Sequence, residues 1–386
     1  MPTDTVGGLA RVGLNRASYG RNEKRKMHAD RYRPDGILFD PRELVRFGPH
    51  LGAHKVALRV VFSILAPLIV LFAVGHLELA GYALLAALAS VYGRMAPTRQ
   101  RLAVQAEFGA CQVALIILGA TLSAADAPGW LVIVLIATAA GLGTVLADAR
   151  SWRPAGSVFF VFGLGVSASL PATWPGVGVA ALLATSALAF TLLVTLISGA
   201  GKQGLRARRR LAGQPTGSYP ALTPIPRNWR LILTHALMCF IGAGIAGGIA
   251  LSLGWQHPYW AMVSAVVPVV GTSTSGQLIR GSHRVLGTLI GLVVAVLLFG
   301  WQPQGLLLIL LLVSLQAGTE LVVLRNYSAA LLFLTPLTVG MGLLNGPVPV
   351  LPLVIDRGME TVVGVAVAAV LILATHRVRH PKETAN

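Results

Sequence analysis

Charged residues are scarce in this chain, and acidic ones are the scarcest. Asp and Glu number 14 of 386 residues, against 31 Lys and Arg, and charged residues make up 12% in all, about half the share of an average soluble protein. The two cysteines, Cys111 and Cys239, both fall in apolar segments, which indicates small buried side chains and not a disulfide or a metal site. No Cys/His/Asp cluster or catalytic dyad has a workable spacing. We therefore expect no enzyme, no metal and no cofactor.

Apolar residues take the place of the missing charge. Hydrophobic residues make up 55% of the chain and its mean hydropathy is +0.72. Apolar runs of about 16–24 residues recur, roughly the length that crosses a hydrocarbon core of about 30 Å. The sequence predicts an all-α polytopic membrane protein with about twelve transmembrane helices. The predicted spans are 56–75, 78–93, 102–124, 129–147, 155–170, 176–199, 230–253, 258–271, 284–300, 304–324, 328–345 and 351–375.

The net charge of +17 follows the membrane topology, so we expect a lipid bilayer and not a nucleic acid as the partner of the basic residues. The even-numbered connections carry Arg94, Arg99, Arg101, Arg150, Arg153, Lys202, the RARRR run at 206–210, Arg280, Arg284 and Arg325. The odd-numbered connections carry no Lys or Arg, with Arg357 as the exception. The positive-inside rule then predicts cytoplasmic N- and C-termini in a bacterial-type inner plasma membrane. The first fifty residues lack the apolar core of a cleavable signal, so we expect the first internal helix to direct insertion.

Composition and internal similarity predict two six-helix halves joined by a basic linker. A shift of 178 places Gly93 on Gly271 and Gly109 on Gly287, and it also places Ala106 on Arg284. An even number of helices in each half gives both halves the same orientation. The predicted units are a basic cytoplasmic tail at 1–55, the first half at 56–199, a cytoplasmic linker at 200–229, the second half at 230–376 and a cytoplasmic tail at 377–386.

A second, nested similarity lies inside the second half. The pattern Y-x-A-x6-P begins at Tyr259 and again at Tyr327, and the pattern R-x3-T-x2-G begins at Arg284 and again at Arg357. Three helices separate the members of each pair, so the members run in opposite directions. This is the arrangement of an inverted 3+3 repeat.

The two cores, YWAMVSAVVPVV with RGSHRVLGTLIG and RNYSAALLFLTPLTVG with DRGMETVVG, resemble the fusaric acid resistance family of inner-membrane proteins. That family includes the aromatic acid exporters and, more distantly, the plant aluminium-activated malate transporters. The likeness covers about 230 to 375 closely and 56 to 199 in pattern only. It implies gradient-driven efflux of organic, often aromatic, carboxylates, with six-helix units paired around a central pathway. The large cytoplasmic domains of many longer relatives are absent from this sequence.

Two arginines are the candidates for binding an anionic substrate. Arg284 is predicted to lie about one residue inside its helix, where the alternatives are anion capture and extension of the side chain to lipid headgroups. Arg357 is predicted one to two turns inside its helix beside Asp356 and Glu360, where the alternatives are a self-neutralising cluster and a gate or proton-coupling site. Glu320 near Arg325 is either paired at the cytoplasmic face or a third coupling carboxylate.

The remaining candidates are aromatic, hydroxyl and helix-breaking residues. Tyr259 and Trp260 suit an interfacial belt or stacking on an aromatic substrate. Tyr327 and Thr288 are assigned to the substrate site as well. The predicted helix breaks are Pro268, Gly271 and Pro336, since transporters form midplane sites at interrupted helices. Glycine-rich runs at 242–247 and 271–277 lack the strand or the lysine of a nucleotide site, so we expect no nucleotide.

The sequence and this resemblance together predict a secondary exporter of organic anions, with aromatic carboxylates as the expected substrates, that confers resistance to weak organic acids. An anion channel and a non-transport membrane scaffold are the alternatives. Substrate identity, direction of flux, coupling ion and homo-oligomerisation stay open at this point.

Overall fold

The computed structural model describes residues 47–48, 53–94, 96–211, 228–271 and 273–379, and this part of the chain is helical without strands. The predicted tails and linker therefore lie largely outside the described residues. The α-helices, in chain order, are α1 (Ala53–Ala73), α2 (Ala80–Ala87), α3 (Thr98–Ala124), α4 (Gly129–Ala149), α5 (Val158–Ser169), α6 (Trp174–Leu211), α7 (Trp229–Ser252), α8 (Tyr259–Val266), α9 (Thr274–Phe299), α10 (Gly305–Val322), α11 (Tyr327–Gly342) and α12 (Val350–Arg379). Short 3-10 turns flank α2 and follow α11.

Nine of these helices are long and apolar enough to cross a membrane, within the ranges just given. The chain is thus a polytopic helical membrane protein. The expected count of about twelve transmembrane helices is not confirmed, because three predicted spans fall on the shorter helices α2, α5 and α8. The eight residues of α8 extend only about 12 Å, well short of the hydrocarbon thickness.

The sequence around α8 explains why it is short. All eight of its residues are buried, and Pro268 follows two positions after its last residue, where a missing N–H cannot continue a helix. The chain then turns through Gly271, whose φ is +123°. The side-chain amide of Gln277 donates hydrogen bonds to the carbonyls of Val269 at 2.6 Å and Gly271 at 3.0 Å. These bonds satisfy the turn, and α8 ends inside the protein.

The next helix begins earlier than its sequence pattern predicted. The Ser273 side chain accepts a hydrogen bond from the backbone N–H of Gly276 at 3.2 Å, which caps α9. As a result α9 begins at Thr274, ten residues before the predicted span 284–300. Polar residues filled this first part of α9 and hid it from a search for apolar runs.

Glycines allow α9 and α12 to approach their neighbours closely. A Cβ at Gly291 would lie 2.6 Å from the carbonyl oxygen of Leu331 in α11. A Cβ at Gly364 would overlap the carbonyl oxygen of Ala261 in α8 and lie 2.7 Å from the Cβ of Ser264. The backbones of α8 and α12 are therefore in contact where the candidate site lies.

Each long helix has a small set of neighbours. On the N-terminal side of the predicted linker, α3 packs against α5 and α6, and α2 packs against α6. On its C-terminal side, α9 packs against α11 and α12, and α8 packs against α12. Helices α4 and α7, α1 and α10, and α5 and α8 form the contacts between the two sides. Helix α6 continues to Leu211, inside the predicted linker.

Candidate functional site

Arg284 lies deep inside the protein. It is the eleventh residue of α9, about 15 Å along the axis from the helix start, and 2% of it is exposed. The expectation that Arg284 lies one residue inside its helix is therefore wrong, because α9 begins at Thr274. Its Nε and Nη2 donate to the Ser264 hydroxyl at 3.4 and 3.3 Å, and its Nη1 donates to the Tyr327 hydroxyl at 3.4 Å. A side chain held this way does not extend to lipid headgroups.

Arg357 is buried next to it. It is the eighth residue of α12 and 3% exposed. Its guanidinium carbon lies 3.0 Å from the centroid of the Trp260 ring, a cation–π arrangement. Its Nε and Nη1 have no hydrogen-bond partner among the described residues. Arg357 also lies within electrostatic range of Arg284, so the two positive charges repel each other.

One face of α8 holds both guanidinium groups. Trp260 contacts Arg357, and Ser264 contacts Arg284. Residues four apart in a helix share a face and are about 6 Å apart along the axis. The two guanidinium groups therefore contact positions that lie one helical turn apart on α8, inside the protein.

Aromatic residues surround this arginine pair. Phe162 of α5 packs edge-on against Trp260, with ring centroids 4.8 Å apart. Tyr259 packs beside Trp260 at 5.1 Å, and Gly165 of α5 packs on Tyr259. Both Tyr259 and Trp260 are buried inside the protein, so neither faces outward as a residue of an interfacial belt would. Tyr327 lies within electrostatic range of Arg280, Arg284 and Arg357.

The predicted carboxylates fall in two places. Glu360 is fully buried near Arg357, and neither of its oxygens has a hydrogen-bond partner in the described part of the chain. Asp356 is partly exposed and interacts electrostatically with Glu360 and with His257. Burial lowers the pKa of His257, with Arg357 lowering it further and Asp356 acting against both. These groups lie at one end of the site, next to the starts of α8 and α12.

Glu320 lies elsewhere, in a contact between the two sides of the chain. Its Oε2 lies 2.6 Å from Nη2 of Arg94, and its Oε1 accepts a hydrogen bond from Gln316 at 2.9 Å. Pairing with Arg325 is not seen. Instead, Arg325 donates to the carbonyl of Gly48 at 3.2 Å.

The remaining predicted residues frame the arginine pair. Thr288 is fully buried one turn after Arg284, and its hydroxyl has no hydrogen-bond partner among the described residues. Pro268 and Gly271 form the break that ends α8, whereas Pro336 lies inside α11, which continues to Gly342.

The sequence analysis did not assign several residues to the buried contacts that they make. Ser264 lies one turn after Trp260, and Arg280 one turn before Arg284, so helical spacing alone would have found both. Phe162, Arg94 and Asp148 could not be found this way, because their partners are distant in sequence. Asp148 Oδ2 of α4 lies 3.4 Å from Nδ1 of His235 in α7.

Two other kinds of site are not supported. The part of the chain that the structure describes has no group of three His, Cys, Asp or Glu residues suited to a metal ion. A groove of about 520 Å³ between α9 and α12 has an apolar lining, which includes Leu289, Val293 and Met359 but none of the arginines. Such a groove offers nothing to a carboxylate.

Comparison with known proteins places this region in context. Residues 245–371 match the family model described as fusaric acid resistance protein-like, which confirms the resemblance predicted from the sequence. The chain is 31% identical over 134 residues to the uncharacterized membrane protein YvaC of Bacillus subtilis (strain 168). That match covers 34% of this chain and 21% of the relative, so the chain spans about a fifth of the length of the curated relative it matches. No solved structure matches. The segment that matches the family model, residues 245–371, contains both Arg284 and Arg357.

Proposed function

We propose that this protein is a gradient-driven exporter of organic anions, with aromatic carboxylates as the substrate class. The observation that carries the proposal is the buried pair of Arg284 of α9 and Arg357 of α12, which both contact one face of α8. Among the described residues, each arginine contacts only neutral groups within hydrogen-bond or ring distance. A charge at membrane depth costs at least about 2.5–3.5 kcal/mol, and a bound anion would offset that cost.

The chemistry of the site fits a carboxylate attached to a ring. Guanidinium groups bind carboxylates through two parallel hydrogen bonds and stay charged. The free Nε and Nη1 of Arg357 are donors suited to that role. Trp260, Tyr259 and Tyr327 are the aromatic residues that would contact the ring of the substrate.

A coupling proton would be carried next to the substrate. Glu360 is our first candidate, because it is buried beside Arg357 with both oxygens unpartnered among the described residues. It can face the Arg357 charge when ionised and become neutral when it takes a proton. Asp356 and its neighbour His257 would exchange that proton with the outer aqueous side. Glu320 is a weaker candidate, since Arg94 and Gln316 already hold it.

Alternating access would occur between two six-helix halves. Helix packing supports this division: the contacts of α3 with α5 and α6 recur as those of α9 with α11 and α12. The contacts between halves, α4 with α7 and α10 with α1, are related in the same way. The nested inverted repeat has similar support, since α9 packs on α11 as α12 packs on α8. Cytoplasmic termini in an inner membrane follow from the arginine distribution.

The experiment is efflux of a radiolabelled aromatic carboxylate from proteoliposomes containing the purified full chain. We expect Arg284→Ala to lose almost all efflux while its melting temperature stays measurable. The matched control is Arg150→Ala, because Arg150 forms an exposed ion pair with Glu107 and half of its side chain is exposed. Unchanged efflux in Arg284→Ala would refute the site. A passive anion current that ignores the pH gradient would instead identify a channel.

A further inference from the structure

A second group of buried arginines lies away from the Arg284 and Arg357 pair. Arg59 of α1 is 6% exposed and Arg101 of α3 is 6% exposed, while 9% of the Arg94 side chain is exposed. All three lie in or beside contacts that α1 makes. Arg59 interacts electrostatically with Arg101, Arg94 and Glu320. The four side chains therefore form one cluster, which we call the α1–α10 cluster.

The charges in this cluster do not balance. Three guanidinium groups face one carboxylate, Glu320, which is the acidic group within electrostatic range of Arg59 among the described residues. Arg94 is the arginine that Glu320 neutralises directly, at 2.6 Å. Burying like charges together is costly unless an opposite charge is present. Among the residues that the structure describes, two positive charges therefore remain without an anion.

Hydrogen-bond donors in the cluster are also left over. Nε and Nη2 of Arg59, Nη1 of Arg94 and Nη1 of Arg101 are buried without a partner in the described part of the chain. The Ser63 hydroxyl, one turn after Arg59 on α1, is 1% exposed and likewise unpartnered. Arg101 is fixed in place, since its Nε and Nη2 donate to the carbonyls of Gly93 at 3.1 Å and Ala96 at 2.7 Å. Fixed donors on several segments suit an acceptor with several oxygens.

We propose that the α1–α10 cluster binds an oxyanion of the phosphate class between Arg59, Arg94 and Arg101. Guanidinium groups recognise phosphate oxygens through paired hydrogen bonds. Arg94 and Arg101 belong to a connection that the positive-inside rule places on the cytoplasmic side. The phosphate there comes from free inorganic phosphate or from an anionic lipid headgroup, and both present the same acceptors.

The test is equilibrium dialysis of radiolabelled inorganic phosphate against the purified full chain in a maltoside detergent. We expect Arg59→Gln to weaken binding by about tenfold to a hundredfold, the effect of losing a hydrogen bond to a charged group. Arg99→Gln is the matched control, because Arg99 lies in the same first turn of α3 as Arg101 but is exposed. Arg284→Gln should also leave phosphate binding unchanged, which separates this site from the exporter site. Equal binding in wild type and Arg59→Gln would overturn the proposal.

Thermal unfolding without phosphate gives a second readout. A neutral glutamine relieves the repulsion between Arg59 and its two arginine neighbours, so Arg59→Gln should melt at the wild-type temperature or above it. If Arg59 serves only as a structural partner of Glu320, Arg59→Gln should instead lower the melting temperature, and that result would overturn the proposal. If Arg59→Gln does not fold, Arg59→Lys keeps the charge and should still show weakened phosphate binding.

Added lipid identifies the source of the phosphate group. Phosphatidylglycerol added to the detergent micelles should compete with inorganic phosphate in the wild type if a lipid headgroup occupies the cluster. No competition, with phosphate binding still dependent on Arg59, assigns the cluster to soluble phosphate. No phosphate binding in lipid-free and lipid-containing micelles alike would refute both versions.

Discussion

At Gly364 the backbone of α12 lies directly against α8, and replacing this glycine with alanine should separate the two helices. A Cβ there would overlap the carbonyl oxygen of Ala261 and lie 2.7 Å from the Cβ of Ser264. Ordinary contact begins at about 3.4 Å, so the helices must separate by at least about 0.7 Å. The obstacle is backbone, which cannot rotate away as a side chain can.

Two opposing terms set the size of the effect. Alanine gains up to about 1 kcal/mol over glycine inside a helix, whereas inserting a methyl group into a packed interior costs about 1–3 kcal/mol. Because the overlap is with backbone, we expect the cost to exceed the gain by about 1–2 kcal/mol. The bonds from Arg284 to Ser264, already 3.3 and 3.4 Å long, would then lengthen beyond hydrogen-bonding distance.

Thermal unfolding followed with a thiol-reactive fluorophore measures this change in stability, since Cys239 is 1% exposed and reacts once the protein unfolds. Gly364→Ala should melt below the wild type and transport less. Gly248→Ala is the matched control: Gly248 is exposed inside α7, and a Cβ there has nothing within 4 Å, so this variant should melt at the wild-type temperature or higher. A Gly364→Ala protein that melts at or above the wild-type temperature would refute the reasoning.

Two further predictions concern the contacts between the halves. Glu320→Gln should lower the free energy of unfolding by about 3–5 kcal/mol, because it leaves the buried Arg94 unpaired. Adding Arg94→Gln to the same chain should restore part of that loss, as measured by thermal melting of the two single variants and the double variant. Additive losses in the double variant would contradict the pairing. Cysteines replacing Asp148 and His235 in a chain free of Cys111 and Cys239 should be joined by a short bifunctional reagent that alkylates thiols, since the native side chains are 3.4 Å apart. Transport should then fall in proportion to the cross-linked fraction, with each single-cysteine chain as control, and full activity after complete cross-linking would show that α4 and α7 do not separate.

The sequence predicted the membrane class and nearly every helix, because apolar length is read directly from local composition. It failed on the depth of Arg284, because the first ten residues of α9 are mostly polar residues or glycine and a hydropathy search excludes them. A capping serine before Thr274 and the glutamine that satisfies the Gly271 turn were visible in the sequence. Their meaning depends on knowing that α8 ends inside the protein.

The candidate site shows the same division between local and distant information. The nested repeat related Arg284 to Arg357 in the sequence, but the predicted spans put them near opposite faces of the membrane, whereas the structure places the two within electrostatic range. The partners across the halves, such as Arg94 for Glu320, could not be predicted. Arg94 and Glu320 are 226 residues apart in the sequence, and no periodicity links positions that meet only through helix packing.

The proposed repeat also needs a different register in α3. A shift of 178 places the exposed Ala110 on the fully buried Thr288. A shift of 179 places buried residues on buried residues, with Gln105 on Arg284 and Gly109 on Thr288. Since a repeat preserves the buried face of a helix before it preserves residue type, 179 is the physically consistent register. In that register the first half has an amide, not an alanine, at the position of Arg284. Gln105 donates to the carbonyls of Ser90 and Tyr92, so a neutral donor that holds a turn takes the position where the second half has a buried positive charge.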